Sequence, residues 1–171
     1  PSAVVVGLGN PGIEYADTVA IQRLGAIVGK TTTLTPRAGN PQPRIAETPA
    51  GMLNSIGLQN PGLENILTQK APIWATWQVP VIVNIAGQNP EEFAYLARRL
   101  DRVPGVAGLE LNLSCPNVAG GLNFSTDPRL AAAVVGGVRR ATSLPIIAKL
   151  TPNVTDVVEI AQAVQEAGTD A

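Results

Sequence analysis

The lone cysteine of this chain, Cys115, stands in the run Asn112-Leu113-Ser114-Cys115-Pro116-Asn117, just past an apolar segment and ahead of the Gly-rich stretch Asn117-Val118-Ala119-Gly120-Gly121. A thiol with an ordinary pKa of about 8.5 needs only modest tuning to take a carbon-bound proton near neutral pH. The commonest fate of a lone cysteine is to be one more buried small hydrophobe. Here the strand-end position and the following loop, of a kind that can act as a lid, favour a base. The chain contains no histidine, so a zinc site and any His-based triad are excluded, and one cysteine cannot close an internal disulfide. Acid–base work falls to Cys, Lys, Tyr or carboxylates.

Four more polar residues, Lys30, Asn84, Asn112 and Lys149, sit at or just past the ends of apolar runs. Lys149, inside Ile146-Ile147-Ala148-Lys149-Leu150, must snorkel outward or find an anion, because a charge left in an apolar interior is costly. Asn84 and Asn112 pose the same question for amides, which need hydrogen-bond partners when buried. A planar heterocycle rich in donors and acceptors would supply them. Asn54 lies in Gly51-Met52-Leu53-Asn54-Ser55-Ile56-Gly57-Leu58-Gln59-Asn60, where Asn and Gly are also explained by turn chemistry alone. Gly7-Leu8-Gly9-Asn10-Pro11-Gly12 formally matches a dinucleotide-binding fingerprint. However, Pro11 removes a backbone donor, and Lys30 stands where an acidic ribose ligand would be needed. The same stretch, through Tyr15, resembles the opening of bacterial peptidyl-tRNA hydrolases, which depend on a histidine that this chain lacks. A Gly-rich turn beside a ligand is the simpler expectation.

The elements that must carry these residues alternate in type, as expected of a parallel sheet covered by helices. Strands are expected at Ala3–Gly7, Gly25–Lys30, Val79–Ala86, Gly108–Leu113 and Pro145–Leu150, and helices at Gly62–Thr68, Pro90–Leu100, Pro128–Thr142 and Val154–Ala167. Asn89 and Asp127 are natural caps for helices that open on proline. Residues 31–61 are rich in Pro and Gly, too long for an ordinary connection, and expected to form an excursion with a small hairpin carrying a binding loop. Five strand-plus-helix units and the start of a sixth strand fit an incomplete (β/α)8 barrel or an open doubly wound sheet. Both architectures place chemistry at the C-terminal strand ends.

At 171 residues and 45% hydrophobic content, residues 1–171 are expected to form a single domain or part of one. Twelve basic residues balance thirteen acidic ones without a basic block, which argues against nucleic acid or an anionic membrane as partner and for a small molecule. No apolar run approaches the roughly 20 residues that span a bilayer, so a cytoplasmic protein is expected. Pro1 is not preceded by Met, and Gly168-Thr169-Asp170-Ala171 falls where a strand should begin. The sequence is therefore expected to be the N-terminal piece of a longer chain.

Asn112–Asn117, the loop Asn54–Asn60, the run Lys30-Thr31-Thr32-Thr33-Leu34-Thr35-Pro36-Arg37 and Lys149-Leu150-Thr151-Pro152-Asn153-Val154 together resemble class 1 dihydroorotate dehydrogenases, most closely the NAD-linked 1B subtype. The likeness runs from about Gly25 to the end. It implies a TIM barrel, here incomplete, that binds FMN at its mouth and oxidises dihydroorotate to orotate in pyrimidine biosynthesis. On that resemblance Cys115 is the base. Lys30, Asn54, Ser55, Ile56, Gly57, Leu58, Asn112 and Asn117 hold the substrate, and Lys30, Thr31, Asn84, Asn112 and Lys149 contact FMN. The implied partner is an electron-transfer subunit carrying FAD and an iron–sulfur cluster, in a homodimer or heterotetramer. The chain departs from the family in having Val5-Val6-Gly7 where an Ala-Ser-Gly turn is usual, and Gly29 and Thr35 are also atypical. The related dihydropyrimidine dehydrogenase barrel shares the Asn-Leu-Ser-Cys-Pro run, but Glu47-Thr48-Pro49-Ala50-Gly51-Met52-Leu53-Asn54 favours the first family. A noncatalytic fragment or degenerate homologue is the alternative of a different kind, since 171 residues lack the last strands and phosphate-gripping loops of such a barrel.

Overall fold

Runs of Val, Ile and Leu that close on a polar residue make the strands. The computed structural model describes residues 13–114 and 124–171, together with the strand Val5–Gly7. In chain order the strands are β1 (Val5–Gly7), β2 (Ala26–Val28), β3 (Ile45–Thr48), β4 (Gly51–Asn54), β5 (Val81–Ile85), β6 (Gly108–Asn112) and β7 (Ile146–Lys149). Five of them form one sheet in the order β1-β2-β5-β6-β7, with every adjacent pair parallel. That order never reverses along the chain. A doubly wound sheet has a switch point where it does, so the sheet is wound in one direction, as in a barrel. At its far edge the N–H groups of Asp170 and Ala171 donate to Ile146 O (2.8 and 3.2 Å), and Ala148 N–H donates to Ala171 O (2.8 Å). The expected next strand therefore begins to pair with β7.

The helices are α1 (Leu63–Asn65), which runs through a π-helical turn (Ile66–Lys70) into α2 (Ala71–Trp74), then α3 (Pro90–Leu100), α4 (Pro128–Ala141) and α5 (Val157–Glu166). The three long helices are capped by side-chain oxygens: Asn89 accepts from Glu92 N (2.8 Å), Asp127 from Arg129 N (2.8 Å) and Asp156 from Val158 N (2.8 Å). The Asp156 cap explains why α5 starts three residues later than Val154. No helix is expected between the first two strands. Among the described residues of that connection, β1 is joined to β2 by 3-10 turns at Ile13–Tyr15 and Ile21–Arg23, and no apolar stripe there is long enough to bury an α-helix against the sheet.

Successive side chains of a strand face opposite sides of the sheet, and here the two sides differ in kind. Val81, Val83, Ile85, Leu109, Leu111 and Ile146 are buried under α3, α4 and α5, packed with Phe93, Leu96, Leu100, Val134, Val138 and Ile160. Phe93 and Phe124 meet edge to face at 5.9 Å, the arrangement that ring quadrupoles prefer. The opposite side carries Asn84, Glu110, Asn112, Ile147 and Lys149. Strand register sets Asn84 beside Glu110 and Asn112 beside Lys149.

The Pro- and Gly-rich excursion contains the expected hairpin, β3 antiparallel to β4 with Ile45 opposite Asn54 and Thr48 opposite Gly51. Its neck is closed by Arg37 and Asn60, which exchange backbone hydrogen bonds of 2.9 and 3.1 Å. Asn60 is buried, and its Oδ1 accepts from Thr33 N (3.1 Å) and Gly62 N (2.9 Å). Before the neck, Thr32 docks on β5: its N–H donates to Asn84 O (2.8 Å), and Ala86 N–H donates to Thr32 O (3.0 Å). No helix among the described residues is long and apolar enough to cross a membrane.

Candidate active site

Each polar side chain that ends an apolar strand is delivered to the same end of the sheet, because all the strands run in one direction. Lys149, the last residue of β7, donates from Nζ to Asn112 Oδ1 (2.7 Å) and to Ser114 Oγ (2.7 Å). Ser114 Oγ also donates to Asn112 Oδ1 (3.1 Å), and Asn112 Nδ2 donates to Thr31 Oγ1 (3.2 Å). The network joins β7, β6 and the segment after β2. Its geometry leaves Asn112 one orientation, with the oxygen toward the ammonium and the NH2 toward Thr31. An ammonium has three donors; two are used within this cluster.

Asn84, one strand over, donates from Nδ2 to Glu110 Oε1. It is buried, and its Oδ1 has no hydrogen-bond partner among the described residues. Leaving such an acceptor unmade costs roughly 1–3 kcal/mol.

Lys30 lies apart from the network. It lines an open cleft of 670 Å³ with Arg37, Ile56, Asn60, Asn65 and Lys70. The cleft thus brings together the strand-end lysine and Ile56, Gln59 and Asn60 of the loop Asn54–Asn60, of which Ile56 is among the residues the resemblance assigns to substrate. In that loop Gly57 and Leu58 have positive φ (74° and 58°), and a Cβ on Gly57 would lie 2.5 Å from Asn40 Oδ1. Glycine is required there by conformation and by space. Asn40 Nδ2 donates to Ser55 O (3.1 Å) and Oγ (2.8 Å), and Asn60 Nδ2 donates to Leu58 O (2.9 Å). Asn54 and Ser55 are exposed, and the described hydrogen bonds tie Ser55 to Asn40 and Arg44 rather than to the strand-end cluster.

The structure therefore gathers Thr31, Asn112 and Lys149 by hydrogen bonds, sets Asn84 on the adjacent strand, and puts Lys30 with Ile56 in a neighbouring cleft. Cys115 and Asn117 lie outside the described residues, as does the turn at residues 8–12. Cys115 directly follows Ser114, whose hydroxyl is in the network. Two members escaped the sequence reading, Glu110 and Ser114 as a ligand of Lys149. The signal for Glu110 was present: an acid two residues before Asn112 in a strand shares its face.

A singly wound parallel sheet with a polar cluster at its C-terminal strand ends defines the class as that of the (β/α) barrels. Within it, the family model for dihydroorotate dehydrogenase matches residues 1–171, and the chain belongs to that family. It is 55% identical over its whole length to the dihydroorotate dehydrogenase B (NAD+) catalytic subunit of Pelobacter propionicus, of which it covers 57%. Over 94% of its length it is 58% identical to the protein of the same description from Desulforudis audaxviator, covering 52% of that chain. These relatives agree with the 1B resemblance carried by the sequence motifs. The chain spans about half the length of the curated relatives it matches. Its fold is similar to that of a DHODH from Eimeria tenella solved in complex with ferulenol, with a TM-score of 0.77 at 18% identity, covering 99% of this chain and 55% of that one.

Proposed function

We propose that this chain contributes the strand-end half of the active site of an FMN-dependent enzyme that oxidises dihydroorotate to orotate. The observation that carries the reading is the Lys149–Asn112–Ser114–Thr31 network on the residue immediately before Cys115. The residues fit an isoalloxazine edge: Lys149 offers a cation for anionic ring atoms, and Asn84 holds a buried, unpartnered acceptor among the described residues. FMN, when bound, supplies the hydride acceptor for C6 of the substrate. The thiolate Sγ of Cys115 takes the C5 proton, and the C5–C6 bond becomes the double bond of orotate. Asn112, fixed at both ends of its amide, orients ring donors and acceptors. Lys30 answers the negative charge of the substrate carboxylate from the cleft that it shares with Ile56. Asn54, Ser55, Gly57 and Leu58 belong to a loop whose conformation Asn40 and Asn60 hold, and Asn117 is assigned to substrate on the family resemblance.

The relatives are described as catalytic subunits of an NAD+-linked enzyme. That supports a second subunit here, which we assign FAD and an iron–sulfur cluster to carry electrons to NAD+, in a cytoplasmic assembly. The test is Cys115→Ser in the purified protein. Turnover near neutral pH falls by about 10²-fold or more, the scale of a lost general base, while FMN stays bound. Unchanged turnover would remove Cys115 from the chemistry.

A further inference from the structure

We infer that Glu110 is a positioning residue that sets which end of the Asn84 amide faces the cofactor, making Asn84 Oδ1 an acceptor reserved for a ring N–H. The inference rests on the flavin reading above and extends it to a residue with no part in that scheme. Glu110 and Asn84 are opposite each other in the β5–β6 register, and Asn84 Nδ2 donates to Glu110 Oε1. An ionised carboxylate only accepts, so whichever end of the amide meets Glu110 must be the NH2. The carbonyl is thereby committed to the other direction. Asn84 is 4% exposed and Oδ1 has no partner among the described residues, so the pair has fixed an acceptor that the described protein does not satisfy. Had the amide been free to rotate, it could offer a donor or an acceptor with equal ease, and it would not discriminate.

An oxidised isoalloxazine has one N–H, at N3, set between two carbonyls. A neighbouring amide of uncontrolled orientation could equally bond a carbonyl, so a fixed acceptor selects the N–H. Ile147, the register neighbour of Glu110 on β7, is apolar and presents no competing donor to the carboxylate. The contact from Asn84 is therefore the described partner that Glu110 holds in the strand interior.

The discriminating experiment measures binding of FMN and of N3-methyl-FMN to the purified apoprotein and to Glu110→Leu and Glu110→Gln. In the parent protein the methylated analogue binds about 10-fold more weakly, the scale of one buried hydrogen bond lost with its partner left unpaired. In Glu110→Leu that ratio collapses to under about 3-fold, and in Glu110→Gln, whose amide can still accept, it is intermediate. A residue that merely stabilised the strand would weaken both ligands alike and leave the ratio at the parental value; that result overturns the inference while leaving the flavin reading intact. Should Glu110→Leu not fold, the Gln variant decides alone: a reduced ratio supports the positioning role and an unchanged one refutes it. Parent protein that binds neither flavin overturns the flavin reading and this inference with it.

Discussion

Lys149 ends β7 with its ammonium on Asn112 Oδ1 and Ser114 Oγ, both at 2.7 Å. These contacts fix where the positive charge sits rather than neutralising it, because both acceptors are uncharged. In the proposed flavin complex, a cation fixed there favours the reduced, anionic ring. Lys149→Met removes one charge-assisted interaction, worth about 1.5–3 kcal/mol, which for a two-electron couple corresponds to a midpoint potential lower by about 30–60 mV. Potentiometric titration of the bound flavin reads this directly; an unchanged potential would place the ammonium away from the ring. Lys149 was legible because a lysine closing an apolar strand needs an explanation. Glu110 was less so, since one acid inside a Leu-rich run reads as a solvated position until Asn84 is known to lie opposite it.

Helix starts were the most legible elements, since Asn89 and Asp127 each precede a proline that can open a helix but not continue one. Asp127 also makes the fold sensitive to acid. Its carboxylate accepts from the backbone N–H groups of Arg129 and Leu130 and lies near the Arg129 guanidinium, which holds its pKa below the ordinary 3.8. A carboxyl whose folded pKa lies below its unfolded one stabilises fully above the unfolded value and loses that contribution as the pH falls through the folded value. Thermal melts of the parent protein and Asp127→Asn should therefore differ near pH 6 and converge as the pH falls below the ordinary carboxylate value through the lower folded one. Parallel curves across that range would show the cap to be independent of charge. The helix after residue 62 was read as ending at Thr68, whereas it continues through the π-turn to Trp74. Local propensity does not announce a π-turn, and a proline such as Pro72 ordinarily ends or kinks a helix.

Across the molecule, the outer face of the sheet and its three long helices share one continuous core, while the inner face carries the polar cluster. The two faces should respond differently to truncation. Leu111→Ala, at a fully buried position, is expected to cost about 2–5 kcal/mol, whereas Ile147→Ala, half-buried on the other side, costs less; denaturant midpoints measure both, and equal losses would contradict the two-sided design. Alternating strands and helices suit a doubly wound sheet equally well, so the barrel-like winding was legible only through the family resemblance, and the spatial order of the strands agrees with it. That order has a consequence for synthesis. In the described five-stranded sheet, β2, β5, β6 and β7 each dock on a strand synthesised earlier, with the β3–β4 hairpin set aside between β2 and β5. These four parallel pairings can then form in the order in which their strands are synthesised.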